Sequence, residues 1–450
     1  LSINKDEREA PEPSAGPVPT EGPEFHPYHH PAAGWGAAKS VSRVLVREHA
    51  LLDGPRAIMR MNHENTGFDC PGCAWPDDAK GLKLDICENG IKHVTWEMTP
   101  KRVGREFFAA HSVTELSRWS DYALEDQGRL TEPMMYDPET DHYVPTRWKD
   151  AFELIGSTLR GLDDPGRASF YTSGRLGNEA TFLYQLMARE LGTNNLPDCS
   201  NMCHEASGRA LQASMGTGKG TVDLKDWESA GALFILGVNA ASNAPRMFTA
   251  LAEAHHRGAQ IVHINPLVEA AATRTIVPHD FLDMALFKTT RTSTLNLQPR
   301  IGGDMALLRG MAKAVLEESK ALDQEFIDRH TSGFDEYRAL CEETPWAELE
   351  RQSGISRTDI LKAARICNDA DRSIFNWCLG LTHQQARCRH RAGDRQSASA
   401  ARQPGTGGGG PLPRARAQQR PGQPDLRHRP PAHCGVPGPA RRGLPDRSAP

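Results

Sequence analysis

No stretch of eighteen consecutive apolar residues occurs in the chain, so no membrane span is expected. Its first 385 residues lack a basic field, and the net charge of the 450 residues is -4, which points away from nucleic acid and anionic membranes as partners. The regular cysteine spacing of a disulfide framework is also missing. Ten cysteines scattered irregularly through a chain this long suggest a reducing cytoplasm, with some thiols serving as metal ligands. The N-terminal residues are rich in Pro, Glu and His and contain no apolar core segment, so neither a secretory nor a twin-arginine signal is present and a disordered arm is expected over residues 1–38. The chain starts with Leu1 rather than Met, so its beginning is expected to be missing or misassigned. At the other end, Ala386 to Pro450 hold 13 Arg but no Lys, Glu, Ile, Phe, Met, Trp or Tyr, and only four residues from Leu and Val. Such a segment cannot build a core, and residues 385–450 are expected to be disordered.

What is present begins with thiols. Cys70-Pro71-Gly72-Cys73 is followed 14 positions later by Cys87. A tight Pro-Gly turn between two cysteines lets both sulfurs face one point, which suits an iron-sulfur cluster or zinc; unligated cysteines on a turn are the third reading. Asp77 is the nearby candidate for a fourth ligand. Further on, Cys199 and Cys203 stand four apart, and Cys203 is followed directly by His204 and Glu205. A soft ligand beside proton-transfer groups suits redox chemistry at a metal, although two core thiols at a helix start would look the same.

The rest of the chain reads as alternating strands and helices. Apolar residues at helical spacing run from Trp148 to Leu159, and Ala168 to Tyr171 reads as a short buried strand. Asn178-Glu179 opens a helix reaching Leu191. Ala232 to Leu236, Gln260 to Ile264 and Ser373 to Trp377 read as strands, with helices at about 245–256, 304–317 and 358–370 between them. This alternation predicts an α/β fold with a doubly wound parallel sheet. In such sheets ligands sit beyond the carboxyl ends of the strands. The loops expected there are Ser173-Gly174, Gly237-Val238-Asn239, Asn265-Pro266 and Gly380-Leu381-Thr382, small and polar, as a phosphorylated cofactor requires. Ordinary turn chemistry would explain any one of them alone. Gly174-Arg175-Leu176-Gly177 lacks the spacing of a dinucleotide fingerprint. In Gly216-Thr217-Gly218-Lys219-Gly220-Thr221 the lysine is followed by glycine and the run precedes a strand, so it is read as a turn rather than a P-loop.

Taken as an ordered series, the N-terminal cysteines, Ser173 with Asn178-Glu179, Cys203-His204, Gly237-x-Asn239 and Gly302-Gly303-Asp304 resemble the molybdopterin oxidoreductases, and among them the formate-dehydrogenase-like alpha subunits. The resemblance covers about Asn62 to Thr382. It implies a small iron-sulfur domain over 39–147, with a 4Fe-4S cluster on Cys70, Cys73 and Cys87, and an α/β region over 148–384 that binds bis(molybdopterin guanine dinucleotide) with molybdenum. Cys203 would be the metal ligand and His204 its catalytic neighbour. Ser173, Gly174, Asn178, Glu179, Gly237, Asn239, Asn265, Gly303, Asp304, Gly380 and Thr382 would line the cofactor. The implied activity is two-electron transfer between the cluster and formate or a similar small substrate, with an electron-transfer subunit as partner. The chain departs from that group in having three cluster cysteines rather than four, Asn89 where a lysine is expected, and no convincing equivalent of the arginine expected after Gly380-Leu381-Thr382. Arg416 to Gln423 can be encoded by codons which, read one nucleotide over, give Arg-Gly-His-Ser-Asn-Val-Gln-Gly, a run like the one the family carries at this point. A frameshift soon after Thr382, leaving an incomplete enzyme, is therefore expected. Two other classes stay open on the residues alone: a non-catalytic zinc or iron-sulfur protein, and a nucleic-acid binder acting through the basic tail.

Overall fold

Alternation within single strands organises the structure, a computed structural model. It describes residues 30–384 apart from 64–66, 74, 77–85, 174–175, 198, 200–202, 278–279 and 319–321. Four strands, β1 (Ala232–Leu236), β2 (Gln260–Ile264), β3 (Leu295–Leu297) and β4 (Ser373–Trp377), form one sheet in the order β3-β2-β1-β4. Every pair is parallel. Because successive side chains in a strand point to opposite faces, Ala232, Phe234 and Leu236 join Val262, Ile264, Phe375 and Trp377 on one side. There they meet Leu307 and Met311 of the helix Asp304–Glu317 and Ile360 and Ala363 of the helix Arg357–Asp369. Leu233, Ile235, Ile261 and Ile374 take the other side, against Met247, Phe248 and Leu251 of the helix Met247–His256. All five residues of β1 are buried, as a central parallel strand covered on both faces must be. The fold is thus α/β, with helices on both faces of a parallel sheet.

The N-terminal part has a smaller core of Met61, Ile91 and Val94. The helix Gly34–Arg47 packs there against the helix Glu88–Glu97, which carries two of those residues. One expectation shifts here. The helix starts at Gly34, inside the arm expected to be unstructured to residue 38, and Ala32–Ala33 pair with Arg274–Ile276. A second short helix follows at Asp53–Ile58.

One expected strand does not form. Ala168 to Tyr171 is extended but joins no sheet; its neighbourhood bonds instead to the segment leading toward Cys203, with Phe170 N–H donating to Asn195 O at 2.9 Å and Cys199 N–H to Thr172 O at 3.3 Å. Only Phe170 of the four is buried, so there was little apolar surface to hold the segment against the sheet edge. Residues 1–29 and 385–450, including most of the expected arm and the whole expected tail, lie outside the described residues.

Candidate functional site

The carboxyl ends of β1 and β4 are bound together by glycine. Gly237 has φ +60°, and a Cβ there would meet Leu381 N at 2.7 Å and Gly380 Cα at 2.8 Å; a Cβ on Gly380 would meet Gly237 Cα at 2.7 Å. Two expected cofactor-lining glycines therefore let two strand-end loops lie backbone to backbone. Asn239 accepts a hydrogen bond from Ala241 N–H at 3.1 Å and starts the short helix Ala240–Asn243. Asn265 donates to Glu269 at 3.3 Å at the end of β2.

The loop after β4 reaches the Cys203 segment. His383 Nε2 lies 3.0 Å from the carbonyl oxygen of Cys203, and the buried Trp377 Nε1 donates to Ser207 Oγ at 3.1 Å. Burial pushes the Cys203 thiol up from its ordinary value, and the neighbouring Cys378 and Cys199 thiols push it further. In the same loop after β4, the Thr382 hydroxyl is buried with no hydrogen-bond partner among the described residues. Gln384 links the remaining expected residues by donating to Asp304 at 2.7 Å and to the carbonyl of Gly380. Burial raises the Asp304 carboxyl, while the Gln384 bond opposes the shift. Gly303 packs instead against the Gln352–Ser353 backbone, where a Cβ would come within 2.8 Å of Gln352 O.

Cys70, Cys73 and Cys87 lie in one neighbourhood. Cys87 caps the helix Glu88–Glu97, its sulfur accepting from Gly90 N–H at 3.4 Å. Burial raises its thiol, helped by the nearby Cys70 and Cys73 and opposed by that hydrogen bond. Cys70 Sγ accepts from Gly72 N–H at 3.4 Å, and a Cβ on Gly90 would sit 2.7 Å from that sulfur. Cys70 and Cys73 border an open cleft of about 930 Å³ with Trp75, Glu97 and Arg246. Among the described residues, no three His, Cys, Asp or Glu side chains converge tightly enough to hold one metal ion. A tetrahedral zinc needs every sulfur about 2.3 Å from one centre. A cluster spreads its thiolates over separate irons, so three loosely grouped thiols fit a cluster better than zinc.

This cysteine loop is seated on the α/β part. The Asn89 amide donates to Ser242 O at 2.7 Å, and the buried Arg246 donates to the carbonyls of Trp75 and Pro76 at 3.0 and 2.9 Å. Trp75 also meets Trp227 edge to face at 5.3 Å. The segment from Gly237 to Arg246 therefore touches the β4 loop at one end and the cysteine loop at the other.

Other expected residues are not gathered in this way. Ser173, Asn178 and Glu179 are exposed, the latter two in the first turn of the helix Asn178–Leu191. His204 is exposed at the start of the helix Glu205–Met215. Gly174 and Asp77 lie outside the described residues. Cys378, His383 and Arg246 were not anticipated. Cys378 had a usable signal, because it is the first residue after β4, where the strand-end rule looks for ligands. Nothing local marks His383 or Arg246, whose partners are 180, 171 and 170 positions away.

Residues 129–392 match the model of the molybdopterin oxidoreductase family, and the chain belongs to that family. Protein YdeP of Escherichia coli K12 is 44% identical over 367 residues, covering 80% of this chain and 48% of that protein. An uncharacterized oxidoreductase of Mycobacterium tuberculosis H37Rv, Rv2900c, is 45% identical over 332 residues, covering 72% and 42%. The alpha subunit of an F420-dependent formate dehydrogenase from Methanocaldococcus jannaschii is 28% identical over 260 residues, covering 58% and 35%. The chain spans about half the length of the first two relatives. Family membership implies a molybdenum-pterin cofactor. Among the described residues, no helix is long and apolar enough to cross a membrane.

Proposed function

We propose that the chain is the catalytic part of a formate-dehydrogenase-like oxidoreductase that moves two electrons between a small substrate at the β4 end of the crevice and a 4Fe-4S cluster on Cys70, Cys73 and Cys87. The observation that carries this reading is the seating of the cysteine loop on the strand-end segment through Asn89 and Arg246, which puts the two thiol groups on either side of one ten-residue stretch, Gly237 to Arg246. The residues fit the implied groups. Three neighbouring thiols suit a cluster, and the thiol of Cys203, on the segment that the loop after β4 reaches, suits a sulfur-bound metal; the Thr382 hydroxyl, buried without a partner among the described residues, offers a polar group on that same loop. Molybdenum held by bis(molybdopterin guanine dinucleotide) would supply the two-electron couple, and the cluster the exit for single electrons.

In this reading Cys203 holds the metal. His204, exposed next to it, takes or returns the substrate proton. Thr382 and Asn265 bond the pterin and its nucleotide, while Gly237 and Gly380 keep the two loops close enough to form one wall. Ser173, Asn178 and Glu179 belong to the far nucleotide end, reached through the backbone link from Thr172 to Cys199. Asn89 in place of the expected lysine, and the lack of a convincing equivalent of the expected arginine, favour a small substrate other than formate itself. A separate electron-transfer subunit and a cytoplasmic location complete the proposal.

Elemental analysis and absorption spectra of anaerobically purified protein test it, together with release of guanine nucleotide on acid hydrolysis. Iron, molybdenum and nucleotide together are expected. Zinc alone would overturn the proposal and favour a non-catalytic metal protein.

A further inference from the structure

His383, in the loop after β4, bonds to the segment holding the proposed metal ligand. We infer that His383 is a positioning residue for Cys203, a role that rests on the proposed function but is tested without it. Cys203 lies in a turn, and the following helix, Glu205–Met215, has His204 as its N-cap with no side-chain cap hydrogen bond. The carbonyl oxygen of Cys203 is held by His383 Nε2 at 3.0 Å, across 180 residues of sequence.

A carbonyl oxygen only accepts, so Nε2 carries the proton in this bond, and Nδ1 of the neutral ring is left as an acceptor. The imidazole itself is carried by a short, well-anchored segment. Cys378 N–H donates to Leu236 O at 3.1 Å, continuing the sheet past β4, and His383 N–H donates to Leu379 O at 3.0 Å. Trp377 Nε1, six residues before His383, reaches Ser207 Oγ at 3.1 Å, so the end of β4 and its loop hold this segment at Cys203 and again four residues on. Because His383 acts on the backbone of Cys203, its effect is to fix where the thiol points.

The test uses the full chain without added metal. Iodoacetamide labelling is followed by peptide mass spectrometry, with the rate at Cys203 compared with those at the buried Cys341 and Cys367. Loss of one hydrogen bond in His383→Ala should free the turn and raise the Cys203 rate about five-fold. Cys341 and Cys367 should stay unlabelled. His383→Gln, which retains an N–H donor at similar reach, should return the rate to the wild-type value. An unchanged Cys203 rate in His383→Ala overturns the inference. If that variant also exposes Cys341 and Cys367, the glutamine variant decides: a wild-type Cys203 rate supports the role, and a five-fold rise overturns it. Neither outcome depends on whether the purified protein contains molybdenum or iron, so failure here and failure of the proposed function are told apart.

Discussion

Two helices that were both read from the sequence have opposite fates. Asp304–Glu317 buries nine of its residues, among them Leu307, Met311 and Ala314, against the sheet. Trp148–Arg160 buries none, and leaves Trp148 at 64% and Phe152 at 63% exposure. The helix Asn178–Leu191 behaves like the second, with Phe182 at 59% and Leu183 at 65%. Periodicity tells which face of a helix is apolar, but not whether a partner stands opposite it. In the 232–377 region the partner is a parallel sheet made from nearby sequence. In the 148–191 region the expected strand stays out of that sheet, and among the described residues the helices have no comparable cover.

This contrast can be broken with single substitutions. Phe234→Ala, in β1, removes a fully buried ring stacked on Phe375 at 4.4 Å and should cost about 4 kcal/mol in chemical denaturation. A loss comparable to that of a surface change would mean the sheet is not the core. The sheet region should also carry an acid sensitivity. His263 in β2 is buried, its Nε2 bonded to Thr292 O at 2.9 Å, and burial lowers its pKa from 6.5 to about 4. The folded protein keeps it neutral while the unfolded chain binds a proton below 6.5. The stability its neutral form contributes is complete above that pH and is lost as the pH falls from 6.5 toward 4, by about 3 kcal/mol in total. His263→Asn should flatten the stability curve in this window relative to wild type, and parallel curves would remove His263 as the source. At the small end, Phe152→Ala should change stability by no more than about 0.5 kcal/mol. A cost near that of Phe234→Ala would show that the Trp148–Arg160 face is covered after all.

The same contrast separates what the sequence revealed from what it hid. The strands Ala232–Leu236, Gln260–Ile264 and Ser373–Trp377 were legible because each is a short apolar run closed by small polar residues. Leu295–Leu297 was not, being three residues long with Asn296 at its centre. Ala168–Tyr171 was read as a strand because local pattern cannot show whether a segment has enough apolar surface to join a sheet. At the site, Cys70, Cys73 and Cys87 declared themselves through spacing, and Cys203 through the adjacent histidine. Gly237 and Gly380 were found, but the structure assigns their missing side chains to loop-on-loop packing. His383, Asn89 and Arg246 act on backbone atoms more than 150 residues away, a relation that only the folded topology creates.

The central claim is that two distinct thiol groups serve two distinct redox centres across one strand-end segment. Cys87→Ser and Cys203→Ser, purified in parallel and examined by metal analysis and electron paramagnetic resonance, test it directly. The account predicts that Cys87→Ser loses iron and the cluster signal, while Cys203→Ser keeps both and changes only the molybdenum-centred spectrum. Iron retained in Cys87→Ser, or a molybdenum spectrum indifferent to Cys203→Ser, would contradict it.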